Sequence, residues 1–333
     1  MKAMVLAESG PIEENPLLLS EVPNPKPGPG EILIRVKCCG ICHTELHTVE
    51  GELADVKFPI TPGHQVVGIV EKRGKDASRF SPGERVGAAW LYSACGQCRF
   101  CLGGKENLCE NARFTGFHVD GGYAEYLRIP EKFAYPIPEI FSDEEAAPLL
   151  CAGIIGYRAL RLSEIKPGGR LGLYGFGASA HVAIQVARYW GCRVYVFTRS
   201  EDHRTLAARL GADWVGTADE DPPTKIDGAI IFAPAGGLVP AALGVLERGG
   251  TVALAGIYMT AVPELDYGKF LYHERTVRSV ANATRRNGQE FLEIAERIPI
   301  RTTVQVFALE EANRALQLLK SGQINGAAVL SVS

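Results

Sequence analysis

Apolar and polar positions alternate through Ile32-Leu33-Ile34-Arg35-Val36-Lys37, the period of two that a half-buried strand shows. Shorter alternating runs at 64–70 and 84–90, like the run at 31–38, are set off by Gly and Pro, so residues 1 to about 150 read as an all-β region with long loops. Pro23, Pro25, Pro27 and Pro29 punctuate an extended approach to the first long strand. The texture changes at Ala146. A helical stretch to about Leu162 leads into strand–helix alternation, with buried strands at 170–174 and 193–198 and a helix at 178–189 that stops at Gly191. Asp202 is placed to cap a helix ending before Gly211, and strands at 227–232 and 251–256 flank a crossover helix at 238–246. Helices at 286–298 and 309–320 and a final strand at 327–332 can complete either region. There is no internal repeat and no low-complexity segment. The fold class is α/β: a β-rich domain joined to a doubly wound parallel sheet.

A chain of 333 residues exceeds the usual size of one core, which supports the division into two domains. With 46% apolar and 22% charged residues it can bury a sizeable interior. The formal net charge of -3 and the even scatter of Lys and Arg leave no basic stripe, so neither nucleic acid nor an anionic membrane is an expected partner. The first residues form too short an apolar run for an export signal and no later stretch could span a bilayer, so the expected location is the cytoplasm. Nine cysteines in a long chain of this kind, an odd number, then read as metal ligands rather than a disulfide framework.

The densest chemistry lies in Cys38-Cys39-Gly40-Ile41-Cys42-His43-Thr44-Glu45-Leu46-His47, expected where the first long strand runs out into a turn at Gly40. Thiolate and imidazole suit zinc, and a catalytic zinc takes three protein ligands and keeps one position open. This stretch supplies one or two, and His64 in Thr61-Pro62-Gly63-His64-Gln65 and the isolated Cys151 are the best candidates for the remainder. Cys95, Cys98, Cys101 and Cys109, with two, two and seven residues between them, form a closed tetrahedral set suited to a structural zinc. An iron–sulfur cluster also uses such ligands. In Gly172-Leu173-Tyr174-Gly175-Phe176-Gly177-Ala178-Ser179-Ala180, a G-x-G-x-x-A pattern lies between a predicted strand and a predicted helix. Gly175 and Gly177 permit a tight turn and close approach of a pyrophosphate, and Ala180 is small enough for helix–strand packing. Thr198, at the end of the second strand, stands 23 residues after Gly175, where a ribose-binding residue is expected.

With these residues placed, the chain resembles the zinc-containing medium-chain alcohol dehydrogenases over essentially its whole length. The likeness rests on residues 40–47, Pro62-Gly63-His64, Asp120-Gly121-Gly122-Tyr123-Ala124-Glu125-Tyr126 and the four-cysteine lobe, all in family order. It implies a GroES-like catalytic domain over 1–151, completed by 293–333, around a Rossmann domain over 152–292. It further implies that Cys42, His64 and Cys151 hold a catalytic zinc, which leaves Cys38 and Cys39 as packed thiols. Thr44 matches the hydroxyl that touches the substrate oxygen, His47 the end of a proton relay, His43 a residue near the cofactor phosphates, and Trp90 an aromatic of the pocket wall. Three positions depart from the family pattern: Glu45 replaces the usual Asp, Gln65 the usual Glu, and Ile155 a frequent Thr near the nicotinamide.

The implied reaction is reversible hydride transfer between a small-molecule alcohol and a nicotinamide cofactor, in a homodimer or homotetramer. Two zinc ions are expected per chain. Thr198-Arg199-Ser200, with no acidic residue to pair with ribose hydroxyls, favours NADP(H), with NAD(H) as the alternative. Trp90, Tyr92 and Phe117 point to bulky or aromatic alcohols. The rival readings are a polyol or amino-alcohol dehydrogenase of the same architecture and a zinc-stabilised nucleotide-binding protein without turnover.

Overall fold

The computed structural model describes every residue except Pro299, Asn325 and Ser333, and the counts below refer to the described residues. Two compact units are present, one made of Met1–Cys151, Thr284–Glu296 and the chain from Arg301, the other of Ala152–Ala283 and Arg297–Ile300.

The first unit is built on a seven-stranded sheet. In order across it run Val304–Ala308, Ala327–Ser331, Glu31–Ile41, Gln65–Arg73, Arg85–Ala88 and Ala134–Pro136, and Tyr126–Pro130 adds to Glu31–Ile41. Only the first pair is parallel. The side chains of Ile32, Ile34, Val36, Val66, Val70, Val86, Leu127 and Leu330 fill one buried cluster, each worth about 1.5–3 kcal/mol on removal from water if fully buried. The central strand does not turn at Gly40 as the sequence suggested. It continues to Ile41, with Gly40 opposite Gln65 in the neighbouring strand. The physical reason for the glycine is cross-strand contact: a Cβ there would lie 2.9 Å from Cδ of Gln65. The chain then enters the helix His43–Val49 directly.

The second unit carries a six-stranded parallel sheet in the order Trp214–Gly216, Arg193–Phe197, Arg170–Tyr174, Ile226–Ile231, Leu246–Leu254, Thr276–Ser279. The strand order reverses at Arg170–Tyr174, whose neighbours on either side come later in the chain. That point is where open α/β sheets bind ligands, beyond the carboxyl ends of the strands. Tyr174 and Phe197 stack across the pair with ring centroids 4.1 Å apart. The expected helix from Ala146 is broken in two: Pro148 enters a 3-10 turn over Ala147–Leu150, and Cys151, at φ -124 and ψ -72, separates it from the helix Ala152–Leu162. The cap of the helix Glu201–Arg209 is Ser200 rather than Asp202, because the Ser200 hydroxyl accepts the His203 N–H and Asp202 already lies in the first turn. No helix among the described residues is long and apolar enough to cross a membrane.

Candidate active site

Cys42 is the N-cap of the helix His43–Val49. Its Sγ accepts the Thr44 N–H at 3.3 Å, and the Glu45 carboxylate reaches back to accept the Cys42 N–H at 3.0 Å. The reciprocal cap satisfies two of the N–H groups that a helix start leaves free, and it fixes a thiol at the positive end of the helix. His64 arrives from another direction. It follows Gly63, at φ +102, where a Cβ would collide with Tyr123 and with Sγ of Cys39. The 120–126 motif clamps this loop: Asp120 accepts the Thr61 N–H, Tyr123 N–H donates to the Pro62 carbonyl and Gly122 N–H to that of Gly63.

The outcome is a cluster in which the ligand atoms of Cys42, His64 and Cys151 all lie within 4.8 Å of one another. Sγ of Cys42 stands 3.7 Å from Nε2 of His64, while Nδ1 of His64 is held by the buried Glu45 carboxylate. Pairing with Cys151, burial and the Glu45 charge push the Cys42 thiol well up. Burial works against a charged His64, but Glu45 and Cys42 outweigh it and raise the imidazole to about 10. Two soft thiols and a carboxylate-backed imidazole this close fit a divalent cation, which would favour their ligating forms. Glu45 therefore stands behind a candidate ligand, His64. Cys38 and Cys39 are buried thiols pushed up by burial, outside the cluster. Gln65 is also buried, and its Nε2 has no hydrogen-bond partner among the described residues.

Trp90 presents an edge-on contact to His64, with centroids 5.0 Å apart, and stacks on Phe114 at the same separation. Phe117 lies 5.6 Å from Trp90. Phe114 was not singled out in the sequence, and Tyr92 does not join this wall by any contact described: it is buried, with its hydroxyl donating to Glu31. Thr44 is buried, and His47 follows three residues later on the same helix face. His47 Nδ1 is engaged by Glu52, a partner five residues away that no helical spacing would have suggested. His43 is exposed, its ring 6.2 Å from that of His47.

The four remaining ligand candidates, Cys95, Cys98, Cys101 and Cys109, likewise group within 4.8 Å. Backbone N–H groups of Cys95, Cys98 and Cys101 point at the sulfurs of Cys109, Cys95 and Cys98, at 3.4–3.5 Å. Such donors, from Gln97 and Cys98, bring Cys95 down to about 6.

In the second unit Gly175, at φ +84, begins the turn after Arg170–Tyr174, and a Cβ there would press on Ala233. Gly177 caps the helix Ala178–Tyr189 and differs: a Cβ on it would meet no protein atom within 4 Å. Packing inside the unit thus does not require that glycine, and the open space beside a helix N-terminus fits a dinucleotide phosphate. Ala180 is fully buried. Thr198 is buried, with its N–H on the Gly216 carbonyl and its own carbonyl accepting from Arg204, a second cation at this turn that sequence reasoning overlooked. Arg199 and Ser200 are exposed.

Residues 28–139 match the model of the alcohol dehydrogenase GroES-like domain and residues 178–297 that of the zinc-binding dehydrogenase domain. Over its full length the chain is 46% identical to the probable alcohol dehydrogenase AdhA of Mycobacterium tuberculosis, covering 97% of that protein. It belongs to the zinc-dependent medium-chain dehydrogenases, among the alcohol dehydrogenases. An alcohol dehydrogenase of Geobacillus stearothermophilus is 37% identical, with both chains covered completely. The cobalt- and zinc-bound thermostable alcohol dehydrogenase of Pyrobaculum aerophilum superposes with a TM-score of 0.89 at 29% identity, over 100% of this chain and 99% of that one. Membership makes this chain an oxidoreductase that uses zinc and a nicotinamide cofactor on a small-molecule alcohol or aldehyde, and the polyol and non-catalytic readings are not favoured.

Proposed function

We propose that this alcohol dehydrogenase interconverts bulky or aromatic alcohols with their aldehydes, preferring NADP(H), with one zinc at Cys42, His64 and Cys151 and a second at Cys95, Cys98, Cys101 and Cys109. The observation that carries the reading is the three-ligand cluster with Trp90 edge-on to His64. Three ligands leave a coordination position for substrate, whereas four thiols leave none.

A zinc held by Cys42, His64 and Cys151 would supply Lewis-acid polarisation of the substrate oxygen, and a nicotinamide cofactor held at the turn from Gly175 would supply the hydride chemistry. The chain's residues do the rest. Glu45 orients the His64 ring, and Trp90, Phe114 and Phe117 form an apolar wall. Thr44 takes the hydroxyl proton and His47, its Nδ1 held by Glu52, carries it toward solvent. In the other unit Gly175, Gly177 and Ala180 seat the pyrophosphate, and Thr198, Arg199 and Ser200 receive the ribose end. His43 supports the cofactor phosphates. A cytoplasmic homodimer or homotetramer is part of the reading, supported by the exposed Ile257, Tyr258, Tyr267 and Tyr272 of the second unit.

Metal analysis and two variants test the assignment. Two zinc ions per chain are expected; Cys42→Ser should abolish turnover with the fold retained, whereas Cys98→Ser should lower thermal stability first. Equal loss of fold in both would defeat it.

A further inference from the structure

A second feature of the first unit has no part in this chemistry. A cavity of about 450 Å³ opens beside the four-cysteine lobe, against Cys101, Gly103 and Gly104 on one side and the first turn of the helix Arg285–Arg297 on the other. Arg79, Lys132, Arg285 and Arg286 line it, against a single lining carboxylate, Glu106. That concentration of positive charge occurs in a chain whose net charge is -3.

The cations are set in place rather than loosely scattered. Glu106, itself buried, accepts the Arg285 N–H at 3.0 Å and its Nε–H at 3.1 Å, and the guanidinium lies 4.8 Å over the Phe133 ring. Neither Nη group of Arg285 has a hydrogen-bond or ion-pair partner among the described residues. Arg79 donates through Nη1 to the carbonyls of Glu131 and Ala134, each at 3.0 Å. Burial, together with the Arg285 charge, holds Arg79 below its ordinary value, so the two guanidiniums repel. Lys132 is exposed and has no ion-pair partner among the described residues. Arg286 pairs with Glu290 through Nε at the rim. The first turn of the 13-residue helix carries no acidic residue.

We infer that this cavity binds a compact phosphoryl polyanion, at a site separate from the thiolate–imidazole cluster. Two planar guanidiniums in fixed orientations match phosphoryl oxygens two at a time, an ammonium adds a mobile charge, and the volume exceeds what one phosphate fills. Bringing two or more negative charges between the arginines removes their mutual repulsion.

Fructose 1,6-bisphosphate is a suitable probe, since it sequesters zinc far less than pyrophosphate does. Calorimetric titration of the zinc-loaded protein, saturated with nicotinamide dinucleotide so that the turn at Gly175 is filled, is expected to give one saturable site per chain. Sulfate at the same ionic strength should bind more weakly. Lys132→Ala with Arg286→Ala, both exposed positions, should weaken the bisphosphate at least tenfold while alcohol turnover without probe is unchanged; Gln289→Glu, on the same wall, should do likewise by repulsion. Absence of saturable heat, an affinity untouched in both variants, or sulfate binding as tightly as the bisphosphate would each overturn the inference.

Discussion

Glu45 joins His64 to the backbone of Cys42: one carboxylate oxygen meets Nδ1 of the imidazole and the other takes the Cys42 N–H at 3.0 Å. A single side chain thus closes a helix cap and orients a ligand candidate, and it is only 2% exposed. Loss of such a partner typically costs a metal site about 10- to 100-fold in affinity. Glu45→Gln keeps the shape but not the charge, and zinc retention against a chelator is expected to fall within that range. Retention equal to the parent would mean that the carboxylate only caps the helix.

The same pair sets a pH dependence. In the metal-free protein the His64 value of about 10 lies above the ordinary 6.5, so the ion pair stabilises the fold fully below 6.5 and that stability is lost as pH rises through about 10. A metal must displace this proton and that of the Cys42 thiol, so uptake at this site releases protons and tightens as pH rises. Zinc titration of metal-free protein from about pH 6 to about pH 8 should show affinity increasing at least tenfold, with proton release measurable in weak buffer. Uptake without proton release would contradict the protonation states described here.

Much of this was legible because the signals are local. The strand–turn–helix at 170–189 follows from two apolar runs around Gly175 and Gly177, and the four cysteines announce themselves by spacing. What escaped depends on partners far along the chain. Gly40 looked like a turn because its cross-strand neighbour Gln65 is 25 residues away, and only that contact shows why glycine stands inside a strand. Composition cannot bring Cys42, His64 and Cys151 together either; the family resemblance proposed the trio. The grip of Glu52 on His47 is likewise tertiary, made after the helix has ended.

That contact shapes what loss of the relay should look like. His47→Ala is expected to slow alcohol oxidation mainly below neutral pH, with partial rescue by added buffer that replaces the base. Glu52→Gln should give a milder form of the same defect, since an amide can still hold Nδ1 but does not stabilise a positive ring. A pH–rate profile identical to the parent in both variants would take His47 out of proton transfer.

His181, on the helix that starts at Gly177, is 2% exposed, and neither ring nitrogen has a hydrogen-bond partner among the described residues. Burial pushes it down to about 4. Because the unfolded chain binds this proton near 6.5 and the folded one does not, stability falls as pH drops from about 6.5 to about 4, by about 3 kcal/mol over the window. His181→Leu should flatten this acid limb and raise the melting temperature at about pH 5. An unchanged acid limb would show that other groups govern it.

Cofactor choice rests on a narrower balance. Thr198 is fixed by the Gly216 carbonyl and by Arg204, so the chain direction at the turn is set, and Arg199 projects with no hydrogen-bond or ion-pair partner among the described residues. The Ser200 hydroxyl accepts only the long 3.4 Å bond from His203, which leaves its proton free to donate. A cation and a hydroxyl where a ribose carboxylate would otherwise stand suit a 2′-phosphate, and the acid that follows, Glu201, lies 3.6 Å from Arg204. Arg199 stacked on adenine would serve NAD(H) equally, so the expected preference is finite. One charge-assisted contact of about 1.5–3 kcal/mol corresponds to roughly ten- to hundredfold in kcat/KM favouring NADP(H). Arg199→Leu should erase most of that ratio by weakening NADP(H) alone, leaving the NAD(H) reaction near its parent rate. A parent enzyme that uses NAD(H) better, with a ratio indifferent to Arg199→Leu, would assign this arginine to adenine or to solvent.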